Sequence, residues 1–352
     1  MRLGAGIGIR AAHAWLPGSA ETIDRAVAEG RLTADAAAES GVTALPVSAD
    51  VAAPDMAVRA AEAALADAGV AASRLTLGVH AWIHHQGHDF WSPAHYVVRG
   101  LGATRAEAIG VQTMCNGGAT GLGIGAGRLL ADPGTDLVLV TTADRFDAAS
   151  FDRWSADYGV YYGDGATAMV LGRRDDASDV LTLAALSTST LADAEELHRG
   201  DDEFSDAPRQ HSGRIDVKRT KKAYLERLGA DGFHQQAHDA LRHIVTTALH
   251  DAGLTANDPR IRWLLLPRVG ARTRRETYLP AVGSLTRAEI LDLGRATGHL
   301  GAGDLAANCA GLVSGGLLAR GEAALVISAG AGFSFSCAVV TAPTAAGSGA
   351  RP

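Results

Sequence analysis

The chain has 352 residues, 47% hydrophobic and 20% charged, which suits a soluble globular protein with a large core. A formal net charge of −7 argues against a surface that coats nucleic acid. Cysteines 115, 309 and 337 follow no zinc spacing and suggest a reducing, cytoplasmic setting, and no apolar run of about 18 residues suggests a membrane span or signal peptide.

In chain order, residues 62–70 (EAALADAGV) read as a helix end with Gly69 as its left-handed cap, followed by an apolar strand from Leu75 to Trp82. A strand-like stretch from Ala108 to Val111 leads into VQTMCNGGATGLG. Residues 121–140 then read as a small-residue helix, a polar turn and an apolar strand. Gly121, Gly123, Gly125 and Gly127 would each weaken that helix by about 1 kcal/mol relative to alanine, which predicts close backbone packing between two sheets. A dinucleotide loop is disfavoured, because no acidic residue follows a second strand at the required distance. Gly163-Asp164-Gly165 reads as a tight turn feeding a strand from Ala166 to Leu171 rather than a phosphate or metal loop.

Residues 173–235 depart from this pattern. Their charged runs suggest an inserted polar cap with a helix over about 216–228. After it the pattern repeats. Residues 246–254 (TTALHDAGL) match 62–70, a strand follows over 261–266, and residues 311–327 match 121–140. Two duplicated halves, 1–172 and 236–342, follow, with a flexible tail over 343–352. Alternating helices and fully apolar strands predict an α/β fold with sheets covered on both faces.

Cys115 lies where the strand-like stretch meets the glycine-rich helix. The positive end of the helix dipole favours a thiolate there, so Cys115 is the candidate nucleophile. His84 and His88 are four residues apart and could share a helix face, but Gly87 weakens that helix and no metal is expected.

Three landmarks in register carry a family resemblance: Cys115 before the glycine-rich helix, YYGDGATAMVLG over 161–172, and SAGAGFSFSCAVV over 328–340. The chain resembles ketoacyl synthase III-type proteins of the thiolase superfamily. That implies a thiolase-like fold in α-β-α-β-α layers, a homodimer, and backbone N–H groups of Cys115 and Ala331 around an oxyanion. The family normally adds a histidine and an asparagine that support decarboxylation of a malonyl thioester. Here Arg268 and His299 stand in those places. Arg268 cannot serve as a neutral acid or base. His299, with Asp304 five residues on, completes a Cys-His-Asp set.

This resembles the acyltransferase branch of natural-product, polyketide and antibiotic pathways. The implied reaction moves an acyl group from coenzyme A or an acyl carrier protein, through Cys115, to a hydroxyl or a carrier thiol. The thioester's phosphopantetheine arm is substrate, and no permanent cofactor is implied. A starter-unit 3-oxoacyl synthase is the rival reading, and a non-catalytic partner subunit is the third. The resemblance puts His198 in a segment over the acyl pocket, with Arg268 as a further pocket candidate, and the loop bearing Phe90 and Trp91 reads as a pocket mouth or a dimer contact. Lys218, Arg219, Lys221 and Lys222, with Arg272, Arg274 and Arg275, could dock an acidic carrier.

Overall fold

The computed structural model describes residues 1–229 and 231–344. Its strands are β1 (Arg2–Trp15), β2 (Ala20–Thr22), β3 (Ala44–Pro46), β4 (Leu75–Ala81), β5 (Glu107–Val111), β6 (Leu137–Asp144), β7 (Gly165–Arg173), β8 (Leu181–Thr190), β9 (Ile261–Leu265), β10 (Glu289–Ile290), β11 (Ala323–Gly330) and β12 (Ser334–Thr341). β2 and β3 form a separate small pair.

The other ten strands run β10-β9-β11-β12-β8-β1-β7-β6-β4-β5. Read outward from the central β1–β8 contact, both halves have one topology. β1-β7-β6 and β8-β12-β11 are antiparallel throughout. β6-β4-β5 and β11-β9-β10 are parallel throughout. The duplication read in the sequence is therefore a duplication of strand order.

The layers follow from which side chains each strand turns to which face. In β6, Leu137, Leu139 and Ala143 pack on the helix Ala53–Ala68, while Val138 and Val140 face the glycine-rich helix Gly117–Ala131. Alternation with period two explains how one continuous apolar run serves two cores. The glycine-rich helix and its counterpart Asp304–Ser314 share one core cluster with strands of both halves, making the central layer. The helix Asp231–Asp251 covers the outer face of β9, β11 and β12 through residues such as Leu264, Leu325 and Val339. No described helix is long and apolar enough to cross a membrane.

Two expectations change. The segment 173–235 is not all insertion: Leu181–Thr190 is the buried strand β8, which the second half needs beside β12. The departure from the repeat starts after it, with a short helix at Glu196–Arg199 and the helix Val217–Leu228 where a helix was expected. Its charged ends hid a strand reading LTLAALSTST. The glycines of the central helix also divide. A Cβ on Gly125 would lie 2.9 Å from Val138 Cγ1 and 3.0 Å from Leu171 Cδ1, whereas one on Gly127 would meet nothing within 4 Å. Of the tail, residues 345–352 lie outside the described residues.

Gly127→Ala is therefore expected to raise stability by about 0.5–1 kcal/mol, the ordinary gain of alanine in a helix. Gly125→Ala is expected to lower it, because two packed side chains must move. Urea unfolding midpoints of both variants check the contrast.

Candidate active site

The nucleophile is set by a tight turn. Met114 adopts φ 49°, a left-handed conformation that costs a residue with a side chain about 1–3 kcal/mol. The 3-10 turn Met114–Asn116 then feeds directly into the central helix. Asn116 pins the turn by donating to Ser334 Oγ at 3.0 Å and Ser336 Oγ at 2.9 Å. Cys115 is left partly exposed, while Cys309 and Cys337 are fully buried. Burial pushes both buried thiols up to about 12, so they stay protonated and inert.

His299 reaches the same point from the second half. It sits in TGHLGAGD, between Gly298 at φ 59° and Gly301 at φ 60°. A Cβ on Gly301 would lie 2.1 Å from Asp144 Oδ2, so this loop can close on the central core only without one. Asp144 holds the loop by accepting from Ala302 N at 3.0 Å. Its other oxygen accepts from Ile83 N at 2.9 Å and His84 N at 2.8 Å. Burial nevertheless pushes this carboxyl up to about 7.

The His299 ring is buried, stands edge-on to Tyr162, and lines the same cavity as Cys115. Its Nδ1 lies 2.6 Å from Asp304 Oδ2. Asp304 also accepts from Arg268 N and Leu300 N, both at 2.8 Å. Asp304 is the first residue of its helix, yet its carboxylate caps no N–H of that helix and is spent on His299 and these two backbone groups. Burial opposes charge on both groups. It would lower His299, but the Asp304 carboxylate and Cys115 overcome it and hold the imidazole well above its ordinary value. Burial likewise opposes the carboxylate, but His299 and Arg268 bring Asp304 below its ordinary value.

Cys115 and His299 open on a cavity of about 150 Å³ that Gly330 and Ala331 also line, with Asp304 buried behind His299. A Cβ on Gly330 would lie 2.5 Å from Asn116 N, so the two backbones meet with no side chain between them. His198 lines the cavity, with its ring against Phe333. Burial and Lys221 push His198 down to about 4, leaving it neutral. A groove of about 810 Å³ runs from the cavity past Asp157, Lys221, Val269 and Phe333.

Two groups of expected site residues fall outside the cavity. Arg268 turns away from the cavity, and its guanidinium is buried against Asn308 Oδ1 (2.9 Å) and Thr297 Oγ1 (3.0 Å). Phe90 is fully exposed and Trp91 packs on His88 and Tyr96, so neither lines the cavity. Of the basic residues, Lys221 lines the cavity and Lys218, Lys221 and Arg272 line the groove, while most of these charges are matched within the chain. Arg219 pairs with Asp202, Lys221 with Asp157, Arg272 with Glu276, and Arg274 with Asp292. Lys222 reaches Glu226 at 3.6 Å, Lys218 lies over the Tyr158 ring, and Arg275 is exposed. Among the described residues, no group of three or more His, Cys, Asp or Glu could hold a metal.

Sequence reasoning missed Asp144, Asn116 and the ion pair of Asp164 with Arg153 at 3.1 Å, which makes the GDG turn a buried anchor. A lone aspartate ending an apolar strand is the only signal Asp144 gives.

A model of the family described as 3-oxoacyl-[acyl-carrier-protein] synthase III matches residues 109–189, which span Cys115 and β6 to β8. The β-ketoacyl-[acyl-carrier-protein] synthase III of Cereibacter sphaeroides is 30% identical over 269 residues, 71% of this chain and 77% of the relative. The chain belongs to the β-ketoacyl-[acyl-carrier-protein] synthase III family. The synthase III of Ruegeria pomeroyi is 29% identical over 279 residues, 75% of this chain and 80% of that relative. The structure of the acyltransferase ChlB3 superposes with a TM-score of 0.87 at 30% identity, covering 97% of this chain and 99% of that one. That of Aquifex aeolicus 3-oxoacyl-[acyl-carrier-protein] synthase III gives 0.76 at 20% identity, covering 96% and 100%, and shares the fold. The protein is thus a synthase III-type enzyme of acyl transfer or condensation, with a thiolase-like fold.

Two outcomes follow for the site. Iodoacetamide is expected to modify Cys115 ahead of Cys309 and Cys337, read by peptide mass spectrometry. Asp304→Asn leaves an imidazole without its buried partner and is expected to cost about 3–5 kcal/mol. Because the folded His299 value is raised above the ordinary 6.5, its contribution is complete below that pH and fades as pH rises through the folded value. The stability gap between the wild type and His299→Gln should narrow as pH rises above the ordinary imidazole value of 6.5, read in urea titrations.

Proposed function

We propose that the enzyme transfers an acyl group, without decarboxylation, from a coenzyme A or carrier-protein thioester to a hydroxyl or thiol acceptor. The observation that carries this reading is the buried Asp304–His299 pair on the cavity that Cys115 lines, with the Arg268 side chain outside that cavity. The resemblance to ChlB3, an acyltransferase, over nearly the whole chain supports it.

The pantetheine arm would lie in the groove. The Cys115 sulfur attacks the thioester carbonyl while His299 holds the proton that the thiol gives up. The carbon–sulfur bond to pantetheine breaks, and that thiol departs with the proton from His299. Nε2 of neutral His299 then takes the proton of the acceptor as its oxygen or sulfur attacks the acyl-enzyme, and the Cys115 sulfur leaves. Asp304 balances the positive charge in each step. Backbone N–H groups of Cys115 and Ala331 would hold the oxyanion, worth about 3–4 kcal/mol per donor. A homodimer fits the wholly exposed Phe90 and its neighbour Trp91, which a second copy would cover. Service in a natural-product pathway is part of the same proposal.

The names of the curated relatives favour a second reading, condensation with a malonyl carrier. Carbon dioxide release separates the two. Ping-pong kinetics, an acyl adduct on Cys115 by intact mass, and turnover without carbon dioxide are expected. Cys115→Ala should form no adduct, and Asp304→Asn should slow transfer by about 10²–10⁴-fold. Stoichiometric carbon dioxide release would favour condensation.

A further inference from the structure

The groove joins the Cys115 cavity through a neck whose residues line both: Asp157, Val160, Lys221, Val269, Tyr278 and Phe333. A thioester with its carbonyl at Cys115 and its arm in the groove threads this neck. Two of the neck residues form an ion pair, with Lys221 Nζ 2.5 Å from Asp157 Oδ1. The carboxylate is fully used, since Oδ1 also accepts from Tyr158 N at 2.7 Å and Oδ2 accepts from the Tyr162 hydroxyl at 3.0 Å. The ammonium is not. It has three N–H groups, Asp157 takes one, and the other two have no partner among the described residues. The Lys221 side chain keeps 15% of its surface open against 2% for Asp157, so the open side of the pair is the lysine side. The pair is also close to the reacting groups, because the Tyr162 ring that binds Asp157 stands 5.2 Å, centre to centre, from the His299 ring.

An ammonium already balanced by a carboxylate has little left to attract an anion, but its spare N–H groups still make charge-assisted hydrogen bonds to a neutral carbonyl. On a pantetheine arm the first such carbonyl beyond the sulfur belongs to the cysteamine amide. Resting on the reading that the thioester arm lies in the groove, we infer that Lys221 is a specificity residue that donates to the carbonyl of this amide, so that the acyl donor must carry a pantetheine-type amide beside its thioester. Asp157, held by Tyr162 and the Tyr158 N–H, positions the ammonium. An arm without the carbonyl fills the neck between Val160, Val269 and Phe333 but leaves the spare donors unpaired.

The test follows Cys115 acylation by intact mass for three thioesters of one acyl group, taken in turn as acetyl, butyryl and benzoyl. The N-acetylcysteamine ester carries the amide, the S-(4-oxopentyl) ester keeps its carbonyl without the N–H, and the S-pentyl ester has neither. In the wild type the first two are expected to acylate Cys115 about tenfold faster than the third. Lys221→Met should bring that ratio close to one. The double variant Asp157→Asn/Lys221→Met, which strands no buried carboxylate and so guards against misfolding of the single variant, should do the same. A merely structural role for Lys221 would slow all three esters alike and leave the ratio standing. A wild-type ratio near one, an S-(4-oxopentyl) ester as slow as the S-pentyl ester, or a ratio unchanged in both variants overturns this inference and leaves the acyl-enzyme reading intact. No adduct from any of these esters or from the matching coenzyme A thioesters overturns both.

Discussion

A buried carboxylate governs this site. Asp304 is 1% exposed, a placement that costs several kcal/mol unless its charge is balanced and its oxygens are bonded. Two backbone N–H groups, from Arg268 and Leu300, and the imidazole of His299 meet that demand. The requirement fixes the tautomer and orientation of His299, whose other nitrogen then faces the Cys115 sulfur. It also explains why the guanidinium of Arg268 stays close without entering the cavity. The carboxylate attracts its charge, and Asn308 and Thr297 hold the side chain back.

Duplication supplies the geometry. The helix Gly117–Ala131 and the helix Asp304–Ser314 are equivalents in the repeat, and both begin in the central layer. One start carries the nucleophile and the other its partners. Small residues let the starts approach: a Cβ on Gly118 would lie 2.6 Å from Ala302 O. Asp144 then ties the His299 loop to the loop at Ile83 and His84, so two segments that line the cavity share one anchor.

Much of this was legible in the chain. Repeated segments announced the two halves, because each must build the same strand–helix unit to bury its faces. Cys115 could be found because a thiol before a glycine-rich helix is a local pattern, His299 because the resemblance puts it where an asparagine is usual, and Asp304 because it lies five residues on. What stayed hidden was set by tertiary contact. β8 was lost in a charged segment because its apolar stretch is shorter than its polar flanks. Arg268 was placed in the pocket because position along the chain does not say which way a side chain turns. Its burial depends on Asn308 and Thr297, which are distant in sequence. That Lys221 lines the cavity paired with Asp157 was equally hidden, because the two lie 64 residues apart.

The central claim is that Asp304 and Cys115 together hold His299 protonated beyond neutral pH. Titration of its ring nitrogens by ¹⁵N NMR in the resting enzyme tests it most directly. The account predicts an imidazolium at pH 7 with a strongly hydrogen-bonded Nδ1 proton, turning neutral in Asp304→Asn. A neutral ring at that pH, indifferent to Asp304→Asn, would contradict it.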